Sequence, residues 1–199
     1  MEKESWESAG FLRHLLGSSH SLWEGRLPEE LLEVFSLEEL WRLHPETFHE
    51  VRMHGRWVKT PRWQQAFERD YAYTGSLNRS LPLPPFLRPL LDWIRETLFA
   101  ANGVLMNWYD GALGHYIGPH RDTPNQLEEG RPIVTVSFGE ERTFRLRPWK
   151  EAGNVDFPAC HGTVFLLPYC TNQAYTHEVP RFRRQQGRRV SVTFRQFRS

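Results

Sequence analysis

The chain has 199 residues, a formal net charge of +1 and two cysteines, a length that supports one well-buried core but is short for two independent domains. Cys160 and Cys170 show no C-x-x-C pattern, which supports neither a disulfide framework nor a zinc ribbon and leaves core packing as their expected role. No uncharged apolar run approaches membrane-spanning length and no basic, apolar and small-residue leader is present, so a soluble intracellular protein with no membrane contact is expected.

Residues 1–49 read as an N-terminal helical extension. In "LPEELLEVFSLEELWRLHP" the apolar residues recur at three- and four-residue spacings, with Pro28 suited to a first turn and Pro45 to a stop. The stretch "GSLNRSLPLPPF" is the clearest break, separating an N-terminal lid region from the strand-rich core. A second helix is expected in "PPFLRPLLDWIRETLFAAN", where Leu90, Leu91, Ile94, Leu98 and Phe99 share one stripe.

After Gly103 the period changes to two, and the chain reads as short strands punctuated by Gly and Pro: "GVLMNWYD", "PIVTVSFG", "RTFRLRP", "GTVFLLP", "AYTHEVP" and "RRVSVTFRQF". Strands after helices predict an antiparallel sandwich or jelly roll with helices packed outside. From Arg181 to Ser199 there are seven arginines and no acidic residue, a balance that suggests an anionic partner.

Polar residues fall on shared strand faces, because side chains two apart point the same way. His120 and Asp122 share a face if their segment is extended, as do Asn107 and Tyr109, with Trp108 opposite. In the last strand Val190, Val192 and Phe194 form an apolar face, leaving Arg189, Ser191, Thr193 and Arg195 on the other. Alone, His120 and Asp122 read as a hydrogen-bonded loop pair, and the two arginines as charges guarding an edge strand. His177 in "AYTHEVP" supplies a third candidate ligand. Two imidazoles and a carboxylate make the facial set of non-haem Fe(II) sites, and a dicarboxylic cosubstrate would need a guanidinium fork at its far end. His115 and His161 have no partner in this set and are expected to be structural.

The segments "NWYDG", "IGPHRDT", "IVTVSFGEERTFRLR", "HGTVFLLP", "THEVP" and "RRVSVTFRQF" resemble the AlkB-type Fe(II)/2-oxoglutarate dioxygenases, the nucleic-acid dealkylating branch, over roughly residues 50–197. The resemblance implies a double-stranded β-helix (jelly-roll) core over about 103–197 and a nucleotide-recognition lid over about 50–80. Residues 50–199 would then form a dioxygenase domain, compact with the N-terminal extension. It implies Fe(II) held by His120, Asp122 and His177, with 2-oxoglutarate and O2 as cosubstrates. Arg189 would grip the distal carboxylate of 2-oxoglutarate beside Tyr109, while Asn107 and Arg195 would hold its chelating end.

In "KTPRWQQAFERDYAYTG" the resemblance makes Tyr71 and Tyr73 walls for a flipped base, although such a pair can also simply cover a sheet face. Arg181, Arg183 and Arg184 are phosphate-contact candidates or a solvated loop. Two positions depart from the family: Ser191 stands where some members carry Asn, and Thr123, Pro124 and Asn125 replace an acidic residue near the base edge. The implied activity is oxidative demethylation of N-alkylated bases in DNA repair, on alkylated DNA ahead of RNA, by a monomer. Two alternatives stay open: the same chemistry on a methylated protein or lipid, and a non-enzymatic nucleic-acid-binding jelly roll.

Overall fold

The computed structural model describes residues 6–73 and 75–198. The chain opens with a hairpin, β1 (Leu12–Leu16) and β2 (His20–Arg26), followed by the short helices α1 (Glu29–Leu32) and α2 (Leu37–Trp41). The expected helical extension over residues 1–49 is thus corrected: β2 pairs with a core strand, β14 (Thr163–Leu167), and joins the main sheet. The period-two signal is hidden because β2 is covered on both faces, with Leu22 in one apolar cluster and Trp23 in the other. The "LPEELLEVFSLEELW" stretch breaks into two helices at Ser36, whose hydroxyl accepts from the Glu39 amide and donates to its carboxylate.

Two small hairpins come next, β3 (Glu50–Met53) with β4 (Arg56–Lys59) and β6 (Tyr71–Tyr73) with β7 (Ser76–Asn78), flanking β5 (Trp63–Phe67). The expected break at residues 75–86 is also corrected. It contains β7 and β8 (Ser80–Leu81), and β8 adds to β5 in parallel. Helix α3 (Arg88–Thr97) forms as expected, with Leu90, Leu91 and Ile94 fully buried. Each such side chain contributes roughly 1.5–3 kcal/mol on burial.

The remaining strands are β9 (Gly103–Asp110), β10 (Ile117–His120), β11 (Ile133–Gly139), β12 (Arg142–Pro148), β13 (Val155–Ala159), β15 (Tyr175–Val179) and β16 (Arg188–Arg195), with helix α4 (Tyr169–Ala174) before β15. Among the described residues, these strands with β1, β2, β5, β8 and β14 build an eight-stranded sheet, β1-β2-β14-β11-β16-β9-β5-β8, facing a four-stranded one, β10-β15-β12-β13. This is the jelly-roll core. The outer face of the large sheet buries Trp108, Val134, Val136, Phe138, Val190, Val192 and Phe194 against Leu40 of α2 and Leu90 and Ile94 of α3. The Trp108 indole donates to the Leu40 carbonyl at 2.7 Å. Helices thus seal one face, and the other face is left to line the space between the sheets.

Gly139 ends β11 at φ 92, where a Cβ would lie 2.3 Å from the Arg188 carbonyl oxygen. Glycine is required there for β11 to turn into β12 while staying paired with β16. The cysteines do not pack in the core as expected: both are free, Cys160 half-buried and Cys170 exposed. Among the described residues no helix is long and apolar enough to cross a membrane.

Candidate metal centre and cosubstrate cavity

The two sheets enclose a cavity of about 440 Å³. His120 ends β10 and pairs in register with His177 of β15, so the imidazoles face each other with ring centres 4.2 Å apart. Asp122 lies just beyond, and one ligand atom from each of the three lies within 4.8 Å of the others. The His120 Nδ1–H donates to the Gly118 carbonyl at 2.9 Å, which leaves Nε2 as its ligand atom. Burial pushes the His120 imidazole down and His177 down to about 3, so both are neutral donors at neutral pH, as metal binding requires.

Asp122 is held at every polar atom. Its amide donates to Asn172 Oδ1 and its carbonyl accepts from Asn172 Nδ2, both at 3.0 Å. Arg195 Nε donates to Oδ2 at 2.6 Å, and the Tyr71 hydroxyl donates to Oδ1 at 2.8 Å. Burial alone would raise this carboxyl, but the Arg195 guanidinium and the two histidines outweigh it and hold it well below the usual carboxylate range. The donor set fits a divalent metal of the Fe(II) kind, with positions left for other ligands.

Arg189 projects into the same cavity from β16 and is 1% exposed. Its Nη2 donates to Ser137 Oγ at 2.9 Å and its guanidinium lies 5.2 Å from the Tyr109 ring centre. Among the described residues, its Nε and Nη1 are buried with no hydrogen-bond partner. A buried guanidinium with an unfilled fork fits a carboxylate, so the cavity suits 2-oxoglutarate as well as metal.

The expected residues meet in one place. His120, His177, Asn107, Tyr109, Arg189, Arg195 and Tyr71 all line the cavity, and Asp122 adjoins it through Tyr71 and Arg195. Neither arginine guards an edge, because β16 lies between β11 and β9. Arg195 gives its Nε to Asp122, and its Nη1 has no partner among the described residues. Asn107 Oδ1 accepts from Arg62 Nε at 2.8 Å. Tyr71 is buried with its ring 4.7 Å from the Arg195 guanidinium, while the Tyr73 side chain lies outside the described residues. Of the departing segment, Thr123 lines the cavity and Asn125 is exposed; the Pro124 side chain lies outside the described residues.

Arg181, Arg183 and Arg184 are exposed on the loop from β15 to β16 and do not line the cavity. The Arg181 guanidinium rests over Gly114, and Arg184 lies 5.4 Å from the Phe182 ring centre. His115 and His161 do not line the cavity. Their Nδ1 atoms accept the Asp110 and Gly139 amides, each at 3.1 Å.

Ser137, Arg62 and Asn172 are site residues that the sequence pattern alone does not single out. The alternation of β11 carries a signal for Ser137, since Val134, Val136 and Phe138 face the other way. Nothing in "TPRWQQ" or "YCTNQA" marks Arg62 or Asn172.

A jelly roll carrying a His-Asp-His set beside a buried arginine whose fork is only partly filled defines a non-haem iron oxygenase scaffold. The model of the 2OG-Fe(II) oxygenase superfamily matches residues 24–195, and the chain belongs to that family. It is 32% identical to human "DNA oxidative demethylase ALKBH2", over 73% of this chain and 60% of that protein. It is also 32% identical to the rat "Alpha-ketoglutarate-dependent dioxygenase alkB homolog 3", over 65% of this chain and 48% of that one. These relatives bear out the AlkB-type resemblance, and the chain spans about half to two thirds of their length. The solved structure of OsALKBH1 shares the fold, with a TM-score of 0.60 and 13% identity over 93% of this chain and 100% of that one.

Proposed function

We propose that the chain is an Fe(II)/2-oxoglutarate-dependent dealkylase of N-alkylated bases in nucleic acid, DNA ahead of RNA, acting in repair. The unfilled guanidinium fork of Arg189, in the same cavity as the His120–Asp122–His177 set, carries this reading. When bound, iron, 2-oxoglutarate and O2 supply the oxidation, giving succinate and carbon dioxide and hydroxylating the N-alkyl carbon, which then leaves as an aldehyde.

The chain's own residues hold and orient. His120, Asp122 and His177 would hold the metal, and Arg189 would take the distal carboxylate beside Tyr109. Asn107 and the free Nη1 of Arg195 would serve the chelating end. Ile133, Phe144, Phe165 and Leu167 give the cavity an apolar wall that keeps water out. Asn172 and Tyr71 keep the Asp122 carboxylate in place.

Support for the substrate comes from the relatives' names, from the aromatic Tyr71 and Tyr73 segment, and from the exposed Arg181, Arg183 and Arg184, which suit phosphates. Action as a monomer is part of this reading. Two free thiols suit a reducing intracellular setting.

The test is mass spectrometry of N-methylated DNA and RNA oligonucleotides, and of a methylated peptide, after incubation with the protein, Fe(II) and 2-oxoglutarate. Loss of the methyl group from DNA ahead of the other two is expected. Demethylation of the peptide alone would move the substrate to protein, and oligonucleotide binding without succinate would leave only a binding module.

A further inference from the structure

Arg121 separates His120 from Asp122, yet its side chain is exposed at the rim of the cavity. Its guanidinium lies 3.9 Å from the centre of the Trp149 ring, and Trp149 is 44% exposed just past β12. Both partners are fixed to the same short segment at the end of α4. Arg121 Nη1 donates to the Gln173 carbonyl at 2.7 Å, and the Trp149 amide donates to the Ala174 carbonyl at 2.8 Å. Lys150 is next in the chain, its ammonium 5.9 Å from the same ring.

The charge at this stack is left available. On β12 itself, Arg145 is paired with Asp156 and Arg147 with Glu178. Arg121 and Lys150 form no ion pair among the described residues. The result is a flat, cationic, aromatic-backed surface beside the opening of the cavity, its long arginine arm already held in place.

We propose that the Arg121–Trp149 stack is a docking platform for the nucleotide adjoining the one whose base enters the cavity; this rests on the nucleic-acid reading above. A guanidinium plane stacks on a base as it does on an indole, and its remaining N–H groups, with Lys150, suit the phosphodiester linking the two nucleotides. Because Gln173 and Ala174 already fix the stack, little side-chain freedom is lost on binding. The platform therefore rewards a substrate that continues beyond the damaged base, and a lone mononucleotide gains nothing from it.

The test compares the protein's affinity for a ring-N-methylated mononucleotide with that for a trinucleotide carrying the same base centrally. Both are measured anaerobically with Fe(II) and 2-oxoglutarate bound. The wild type should favour the trinucleotide, and Trp149→Ala and Arg121→Gln should each shrink that preference by about tenfold, the worth of one stacking contact. Trp149→Phe, which keeps an aromatic face, should restore most of it. A stack that only braces the fold would lower the melting temperature of Trp149→Ala without changing the preference, and that outcome overturns the platform. Should Trp149→Ala fail to fold, Lys150→Gln decides: it should flatten the salt dependence of trinucleotide binding by about one unit, and an unchanged slope overturns the platform. Wild-type protein that binds neither probe removes the nucleic-acid reading and the platform together, whereas tight trinucleotide binding with an unchanged preference in the variants removes the platform alone.

Discussion

Arg189 offers a test in which ligand-free stability and ligand affinity move in different directions. Its Nη2 is satisfied by Ser137, while Nε and Nη1 are buried and unpartnered. Hydrogen bonds to charged groups contribute roughly 1.5–3 kcal/mol each. Arg189→Lys keeps the charge but not the planar fork, so losing one such bond should weaken 2-oxoglutarate binding about tenfold to a hundredfold. Arg189→Met fills similar space without a buried charge. Replacing such charges by apolar side chains is often neutral or stabilising, so the ligand-free variant should melt no lower than wild type. At about one hundred times its Kd, 2-oxoglutarate should stabilise wild type by roughly 2.7 kcal/mol, or about 5–10 °C in Tm for a chain of this length. Arg189→Met should lose nearly all of that rise. Anaerobic calorimetric titration and thermal unfolding supply both readings. Wild-type affinity in Arg189→Lys would falsify the clamp, and a much lower ligand-free Tm in Arg189→Met would make the guanidinium a structural strut.

Asn172→Ala strips partners from the Asp122 amide and carbonyl, at roughly 1–3 kcal/mol for each buried group left unpaired; it should lower Tm and weaken metal binding, and an unchanged metal affinity in folded protein would confine Asn172 to the fold. Tyr71→Phe separates the hydroxyl's bond to Asp122 from the ring's aromatic face: metal affinity should fall while affinity for a damaged oligonucleotide holds, and the reverse pattern would place the hydroxyl on the substrate. In metal-free protein the folded His177 resists protonation down to about pH 3, whereas an unfolded histidine takes a proton near 6.5. The unfolded chain therefore binds more protons in that window, and stability should fall with pH below about 6.5, by up to about 1.4 kcal/mol per unit from this residue. Burial lowers His115 in the same direction, and a urea midpoint equal at pH 7.5 and 5.5 would contradict both. Replacing Arg181, Arg183 and Arg184 together by alanine should reduce the salt slope of oligonucleotide binding by about three units, one per phosphate contact; an unchanged slope would leave the run a solvated loop.

Face and period are what the sequence makes legible. The last strand alternates so regularly that the apolar side of Val190, Val192 and Phe194 and the polar side of Arg189, Ser191, Thr193 and Arg195 are where the pattern puts them. Period fails where both faces are covered, which is why β2, with Leu22 and Trp23 fully buried side by side, does not read as a strand. It fails again in β6, β7 and β8, which are too brief to show a period at all.

Partners are less legible than faces, because a strand pattern says which way a side chain points and not what it meets. Arg195 and Asp122 are 73 residues apart, and their pairing arises only once the two sheets face each other. At about 3.3 Å per residue, the six steps from Arg189 to Arg195 separate their Cα atoms by about 20 Å. The two guanidinium groups therefore serve opposite ends of one cavity. Arg195 reaches the metal end through Asp122 and Tyr71, and Arg189 reaches the far end between Ser137 and Tyr109. An elongated dicarboxylate is the ligand shape this division suits, because the end with no acidic partner has an arginine fork still unfilled. A monocarboxylate bound at the metal end would leave that fork bare.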